Sequence, residues 1–323
     1  MKNQSINLAK GIACIFVVFI HCQFPDKLGE YIVALGRFAV PFFALVTGYF
    51  SDFSDRKQSI EIAQKRLKGI IRLTIISSCI CAFFNLIASS IGGGGVLSYL
   101  NIKIIFAFIF FNRASFLSSA MWYLFAIIYV YIIWIGALKL KKEKILFQMV
   151  PILLCINIIM QEVLKLAWYL SGNFLFTILP FFMIGNQIHN KRIKVNKKHV
   201  IGFISANILL LIEHTLLGNS FLYISSILIA VFLLIIVKDD SFIYGRKSRV
   251  YNAFCFLGDK LSMPIFVLHC GVMSIVNSII EVFGLQVLDW MIPFIVLFFS
   301  IMLSLLWRYI ENMKERKEIG LLV

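Results

Sequence analysis

Three ionisable side chains stand in or at the edge of apolar runs near the start of this 323-residue chain, and they are the residues best suited to do chemistry. Lys10 and His21 lie eleven residues apart. At about 100° per residue they point in nearly the same direction on one helix, separated by roughly 16 Å along its axis. Arg37 falls within the next apolar run, and a charge near a membrane centre costs on the order of 3 kcal/mol even on the lenient insertion scale. Neither run contains a carboxylate to neutralise them. A histidine whose tautomer is fixed by a neighbour takes a proton from a hydroxyl in a dry site, so His21 is a candidate general base. Arg66, Lys68 and Arg72 form a basic cluster for which attraction to lipid headgroups and topology is the simpler account, and which would also suit an anionic cytosolic ligand such as a phosphorylated nucleotide carrier. His269, inside a late apolar run, is either an interhelical hydrogen-bond donor or a second group of the same cavity. Trp122 and Tyr123 open a further run, where an interfacial aromatic belt explains most aromatic residues.

The elements that must position these groups are membrane helices. Of the residues, 60% are hydrophobic and only 15% charged, whereas about a quarter of a soluble domain is charged. A formal net charge of +15 would suit nucleic-acid binding if the basic residues gathered on one soluble face. They stand instead in short islands between apolar runs, so nucleic acid is not an expected partner. Runs of about 18 to 24 apolar residues place ten spans, at 7–24, 31–50, 69–90, 119–138, 145–167, 173–189, 200–217, 220–237, 262–282 and 287–307. With the N-terminus inside, every basic island falls on the inner side, and the outer connections hold little beyond Lys27. The sequence therefore predicts an all-α integral membrane protein with the lipid bilayer as partner, a single polytopic domain over 1–323, about ten transmembrane helices and both termini cytoplasmic.

Several local readings follow. The short connection from Gln23 to Glu30 contains Pro25, so spans one and two are neighbours. The stretch Ser59 to Leu73 has the apolar period of an amphipathic helix leading into span three. Gly92 to Gly95 read as a linker or a close backbone approach. Lys103 to Ser118 is too short in continuous apolarity to cross and predicts an interfacial or re-entrant segment. Glu162 and Lys165 have the spacing of a helix-face pair. Glu213 and Asp259 fall near span ends, where solvation accounts for them. The seven cysteines show no metal spacing and read as small packing residues, so no metal is expected.

Taken together, these segments resemble the acyltransferase-3 family. Lys10 followed by ten residues and His21 is similar to the family's Arg/Lys-x10-His signature. Gly36 to Phe50, GRFAVPFFALVTGYF, is similar to its Arg-x-x-Val-Pro-x-Phe-Phe-x-x-Ser/Thr-Gly-Tyr block. The basic KRLKGIIRL after it, Trp122 to Leu124, and Gly258 to His269 extend the likeness from span one to span nine. The resemblance implies a membrane O-acyltransferase in a bacterial-type plasma (inner) membrane. It would move an acyl group, commonly acetyl, from cytosolic acyl-CoA to a hydroxyl of a cell-surface or lipid-linked glycan. His21 would be base or acyl carrier, with Lys10 in support, and Arg37 or His269 would be candidate oxyanion donors. Arg66 and Lys68 stand where the family has an Arg-x-x-Arg pair for the CoA phosphates, but Arg66 is followed three residues later by Gly69. The competing reading is a secondary transporter of a small solute such as an amino acid, against which stands the lack of a visible inverted repeat.

Overall fold

The computed structural model describes residues 3–51, 55–92, 102–114, 117–191, 193–240, 248–285 and 289–320, without side chains for 92, 102 and 314–320. Gly93 to Gly95 of the glycine run lie outside the described residues, as do Arg192, Arg246 and Lys247 of the basic islands. The described chain is helical, without a strand. Eight helical runs among the described residues are long and apolar enough to cross a membrane. They are Gln4–His21, Asp26–Tyr49, Arg56–Ile91, Trp122–Lys139, Glu143–Val163, Lys197–Leu217, Arg249–Phe283 and Ile292–Met313. Two of the ten expected spans are shorter: the sixth is a π-helical turn Phe174–Ile178 continued by Leu179–Asn190, and the eighth is Ile224–Val237, of 14 residues.

α1 (Gln4–His21) is capped by Asn3, whose side chain accepts from the Ile6 amide. The turn after it is tighter than the spacing suggests, since α2 (Asp26–Gly36) begins directly after Pro25. α2 and α3 (Ala39–Tyr49) make one crossing broken at Arg37 and Phe38. The cause lies four residues on, because Pro41 has no N–H to offer the Arg37 carbonyl and its ring crowds that carbonyl. The chain answers with a tight turn in which the Arg37 amide bonds Ala34 O. α4 (Arg56–Gly92) runs unbroken for 37 residues, so the amphipathic stretch and span three are one helix.

α5 (Ile102–Phe111) has ten residues, about 15 Å of helix and half a bilayer core. It ends at Asn112, which has φ 49°. The Asn112 side chain donates to Trp122 O and accepts from the Phe174 amide, tying this short helix to α6 (Trp122–Lys139) and to the π-turn at 174. α7 (Glu143–Ile158), the short α8 (Trp168–Ser171), α9 (Leu179–Asn190), α10 (Lys197–Leu217) and α11 (Ile224–Val237) follow. α12 (Arg249–Phe256) passes through a π-turn, Leu257–Leu261, into α13 (Ser262–Phe283). Pro264 lies four residues after Lys260, and the wider turn accommodates the carbonyl that the proline cannot serve. α14 (Ile292–Gly320) closes the chain.

Two glycine contacts set the close approaches. A Cβ on Gly48 would lie 1.9 Å from Phe182 O and one on Gly185 1.9 Å from Leu45 O, so α3 and α9 cross with backbones touching. A Cβ on Gly11 would lie 2.3 Å from Phe254 O and one on Gly258 1.8 Å from Asn7 O, which seats α1 on the π-turn beside α13. Small residues permit this packing where lipid supplies no hydrophobic drive between helices. The side chains left outside, such as Phe83, Leu86, Phe106, Phe110, Ile201, Leu216 and Phe294, are large and apolar, as a lipid-facing surface requires.

Candidate active site

α1, α3, α4, α6 and α13 line an open cavity of about 590 Å³. One end is polar. Lys10 comes from α1 and Arg66 from α4, and Asp259 reaches the lining from the π-turn. The Arg66 guanidinium donates to Ser51 Oγ at 3.2 Å, and Ser51 Oγ lies 3.2 Å from the Tyr131 hydroxyl and donates to Thr47 O at 2.6 Å. Asp259 also pairs with Lys260 at 3.4 Å, which corrects the expectation of a merely solvated carboxylate. The middle walls are apolar, formed by Val17, Val40, Phe43, Leu73, Ile127 and Phe266, with Tyr123 and Thr47 among them. Such a lining suits a ligand that combines an anionic group, for Lys10 and Arg66, with an apolar arm.

One helical turn past this lining on two of its walls stands a compact polar cluster. Val17 and His21 are separated by four residues on α1, and Phe266 and Cys270 by four on α13, so both pairs share a helix face. His21 Nδ1 lies 3.1 Å from Ser119 Oγ, Ser119 Oγ 3.5 Å from Cys270 Sγ, and Cys270 Sγ 3.3 Å from His269 Nε2. His269 Nδ1 lies 3.0 Å from the Ile265 carbonyl. A carbonyl only accepts, so His269 carries its hydrogen on Nδ1 and turns a bare Nε2 lone pair toward the thiol. The two imidazole centroids are 5.2 Å apart. His269 and Cys270 are buried while His21 is partly exposed. His21, His269 and Cys270 each place one donor atom within 4.8 Å of the others, the spacing of groups that could hold a metal ion. The sequence spacing gave no hint of that, and the buried Cys270 thiol, expected as a packing group, lies against an imidazole and a hydroxyl.

The other residues singled out from sequence divide. Lys10, Arg66 and Tyr123 line the cavity. Lys68 and Arg72 share α4 with Arg66 but are exposed and do not line it. Gly69 does, and a Cβ there would meet nothing within 4 Å. Trp122 is buried in an aromatic group outside the cavity, with ring centroids 5.9 Å from Phe221 and 6.3 Å from Trp168. Arg37 reaches the same group from the helix break, its Cζ 5.8 Å from the Phe221 centroid. Ser51, Ser119, Tyr131, Asp259 and Cys270 are the residues sequence reasoning missed. Four of these five are uncharged, and only the fold brings them to the site.

Compared with known proteins, the chain matches the acyltransferase-3 profile, described as an acyltransferase domain, over residues 3–308. No curated protein and no solved structure matches it. The profile covers the Lys10–His21 helix, the broken second crossing, the basic α4 and the His269 helix together, and the chain belongs to the acyltransferase-3 family of membrane acyltransferases.

Proposed function

We propose that this membrane acyltransferase takes an acyl group, acetyl in the simplest case, from cytosolic acyl-CoA and delivers it to a hydroxyl of a cell-surface or lipid-linked glycan. The observation that carries the reading is the cavity with Lys10 and Arg66 at one end and the His21–His269 pair one turn past its apolar walls. Lys10 and Arg66 offer positive charge to the donor's phosphates, and the apolar walls accept its pantetheine arm. Arg66 supplies the guanidinium fork suited to phosphate. With both termini inside, as the distribution of Lys and Arg favours, the basic end faces the cytosol and His21 faces the acceptor.

His21 acts as the base. If its Nδ1–H donates to Ser119 Oγ, the ring is held with Nε2 bare, which is the tautomer able to accept a proton from the acceptor hydroxyl. Arg37 is the candidate donor for the charge that develops on the carbonyl oxygen, because the Nδ1–H of His269 is spent on the Ile265 carbonyl and its Nε2 is bare. The test is transfer of radiolabelled acetyl from acetyl-CoA to cell-envelope glycans in membranes containing equal amounts of wild type or His21→Ala. Label dependent on His21 supports the reading. Label indifferent to the substitution removes His21 from the base role, and no label from any acyl-CoA overturns the proposal.

A further inference from the structure

The cluster contains more chemistry than one base requires. Direct transfer from thioester to hydroxyl needs a single proton acceptor at the hydroxyl, yet two histidines meet here in ring contact. A thiol sits on one of them and a hydroxyl links that thiol to the other. Cys270 has the arrangement of an activated nucleophile: a base within hydrogen-bond reach, and that base oriented in turn by a third group, the Ile265 carbonyl. The remaining six cysteines have no such histidine among the described contacts. Cys14 and Cys81 spend their thiols on the backbone carbonyls of Ser262 and Val267, and Cys79 and Cys155 are exposed on outer helix faces.

Resting on the acyl-transfer reading, we infer that Cys270 is the acyl carrier of a two-step reaction in which His269 serves the first half and His21 the second. In the first half the Cys270 thiol gives its proton to His269 Nε2, and Sγ bonds to the carbonyl carbon of the acyl-CoA. The carbon–sulfur bond to CoA then breaks, and the CoA sulfur takes the proton from His269 and leaves as the free thiol. One thioester replaces another, so the acyl group keeps its activation and no oxidant or metal is consumed. In the second half the acceptor hydroxyl gives its proton to His21 Nε2 while its oxygen bonds to the acyl carbon. The bond from that carbon to Sγ breaks. The thiolate is reprotonated by Ser119 Oγ–H, which recovers a proton from His21 Nδ1–H. Exchange with water at the partly exposed His21 ring restores its starting tautomer.

The arrangement also explains the position of the cluster. The donor enters from the basic end, the nucleophile lies one turn past the cavity on the same face of α13 as Phe266, and the base for the acceptor stands beside the thiol, joined to it through Ser119 Oγ. The two substrates then need not occupy the site together.

The decisive experiment is acid-quenched labelling of purified protein with radiolabelled acetyl-CoA in the absence of acceptor. It compares wild type, His21→Ala, Cys270→Ser, Cys270→Ala and the His21→Ala/Cys270→Ala pair, with Cys81→Ser as a buried-thiol control. His21→Ala blocks only discharge and is expected to accumulate close to one label per chain, stable to acid and released by neutral hydroxylamine. That label vanishes in the double variant. Turnover falls by about 100-fold or more in Cys270→Ala, while Cys81→Ser stays near wild type. Cys270→Ser preserves shape and controls for folding, which thermal unfolding of each variant verifies. Acid-labile label points to an acyl-imidazole and overturns Cys270 as carrier. So does wild-type turnover in Cys270→Ala, which leaves acyl transfer itself intact. A stoichiometric metal that copurifies and is lost in Cys270→Ser makes the thiol a ligand and likewise overturns the relay. Absence of any acyl transfer by the wild type overturns both readings at once.

Discussion

Two polar networks lie within the apolar part of this chain, each containing a histidine, and they are built on opposite plans. In the first, Asn157 is fully buried and donates to Ser171 O, Phe176 O and Thr177 Oγ1 at 2.9 to 3.1 Å. Gln161 donates to Asn157 and accepts from the Leu222 amide. Tyr223 OH donates to Gly218 O, accepts from the Ser220 amide and lies 3.0 Å from His214 Nδ1. Most of these partners are main-chain groups released by interrupted helices, at the π-turn 174–178 and the connection 218–223. The network answers a structural need, because an unpaired backbone group at membrane depth costs several kcal/mol. In the second network the helices carrying His21 and His269 need no such repair. One contact there ends on a carbonyl, and the others pass between imidazole, hydroxyl and thiol. Polar groups that close a gap in the backbone ladder are structural, and polar groups that face one another are available for reaction.

That contrast is broken most forcefully by exchanging its expected outcomes. His21→Ala should lower acyl transfer by about 10²- to 10⁴-fold, the range for a positioned acid or base, with the folded fraction unchanged by thermal unfolding of purified protein. A loss of fold instead would move the second network into the structural class. The next effect belongs to the donor end. Arg66→Ala should raise the KM for acyl-CoA by about tenfold or more with kcat little changed, since a hydrogen bond to a charged group contributes roughly 1.5–3 kcal/mol. Gly69→Arg should act in the opposite direction, because the position faces the cavity and a side chain there has room. A KM unmoved by both variants would place the donor phosphates elsewhere.

How far the sequence could be read depended on which residues announce themselves singly. Long apolar runs broken by basic islands gave the membrane class and most of the spans, since hydropathy is a sum over many residues. Lys10, Arg66 and Tyr123 were legible as candidates, and the fold places all three on the cavity. The break at Arg37 was in principle readable from Pro41, because a proline acts at a fixed distance of four residues along a helix. The pairing of Gly48 with Gly185 and of Gly11 with Gly258 was not, for it depends on which helices meet. Cys270 and Ser119 were invisible for the same reason: a cysteine next to a histidine in an apolar run reads as packing until a hydroxyl from the turn before α6 arrives at 3.5 Å.

The structural network gives the third prediction. Asn157→Ala removes the amide bonds to Phe176 O and Thr177 Oγ1, while Ser171 O keeps the Thr177 hydroxyl and the Asn173 amide, and should cost about 1–3 kcal/mol of stability, seen as a lower unfolding midpoint, with turnover per folded molecule close to wild type. Gly185→Val belongs to the same class, because its Cβ has no room beside Leu45 O.

The smallest effect is expected at the edge of that network. Glu162 accepts from Ser220 Oγ at 2.6 Å and pairs with Lys165 at 3.0 Å. The two bonds look similar in length but differ in environment. The Lys165 side chain is 63% exposed and, with φ 47°, sits where the chain leaves the α7 run. An exposed ion pair contributes about 0–1 kcal/mol, because water competes for both charges and the long side chain loses entropy. Lys165→Ala should therefore leave both the unfolding midpoint and acyl transfer near wild type, whereas Ser220→Ala, which leaves Glu162 with one partner fewer among buried groups, should lower the midpoint measurably. Equal effects of the two substitutions would show that the hydroxyl bond from Ser220 to Glu162 carries no more of the structure than the exposed ion pair does.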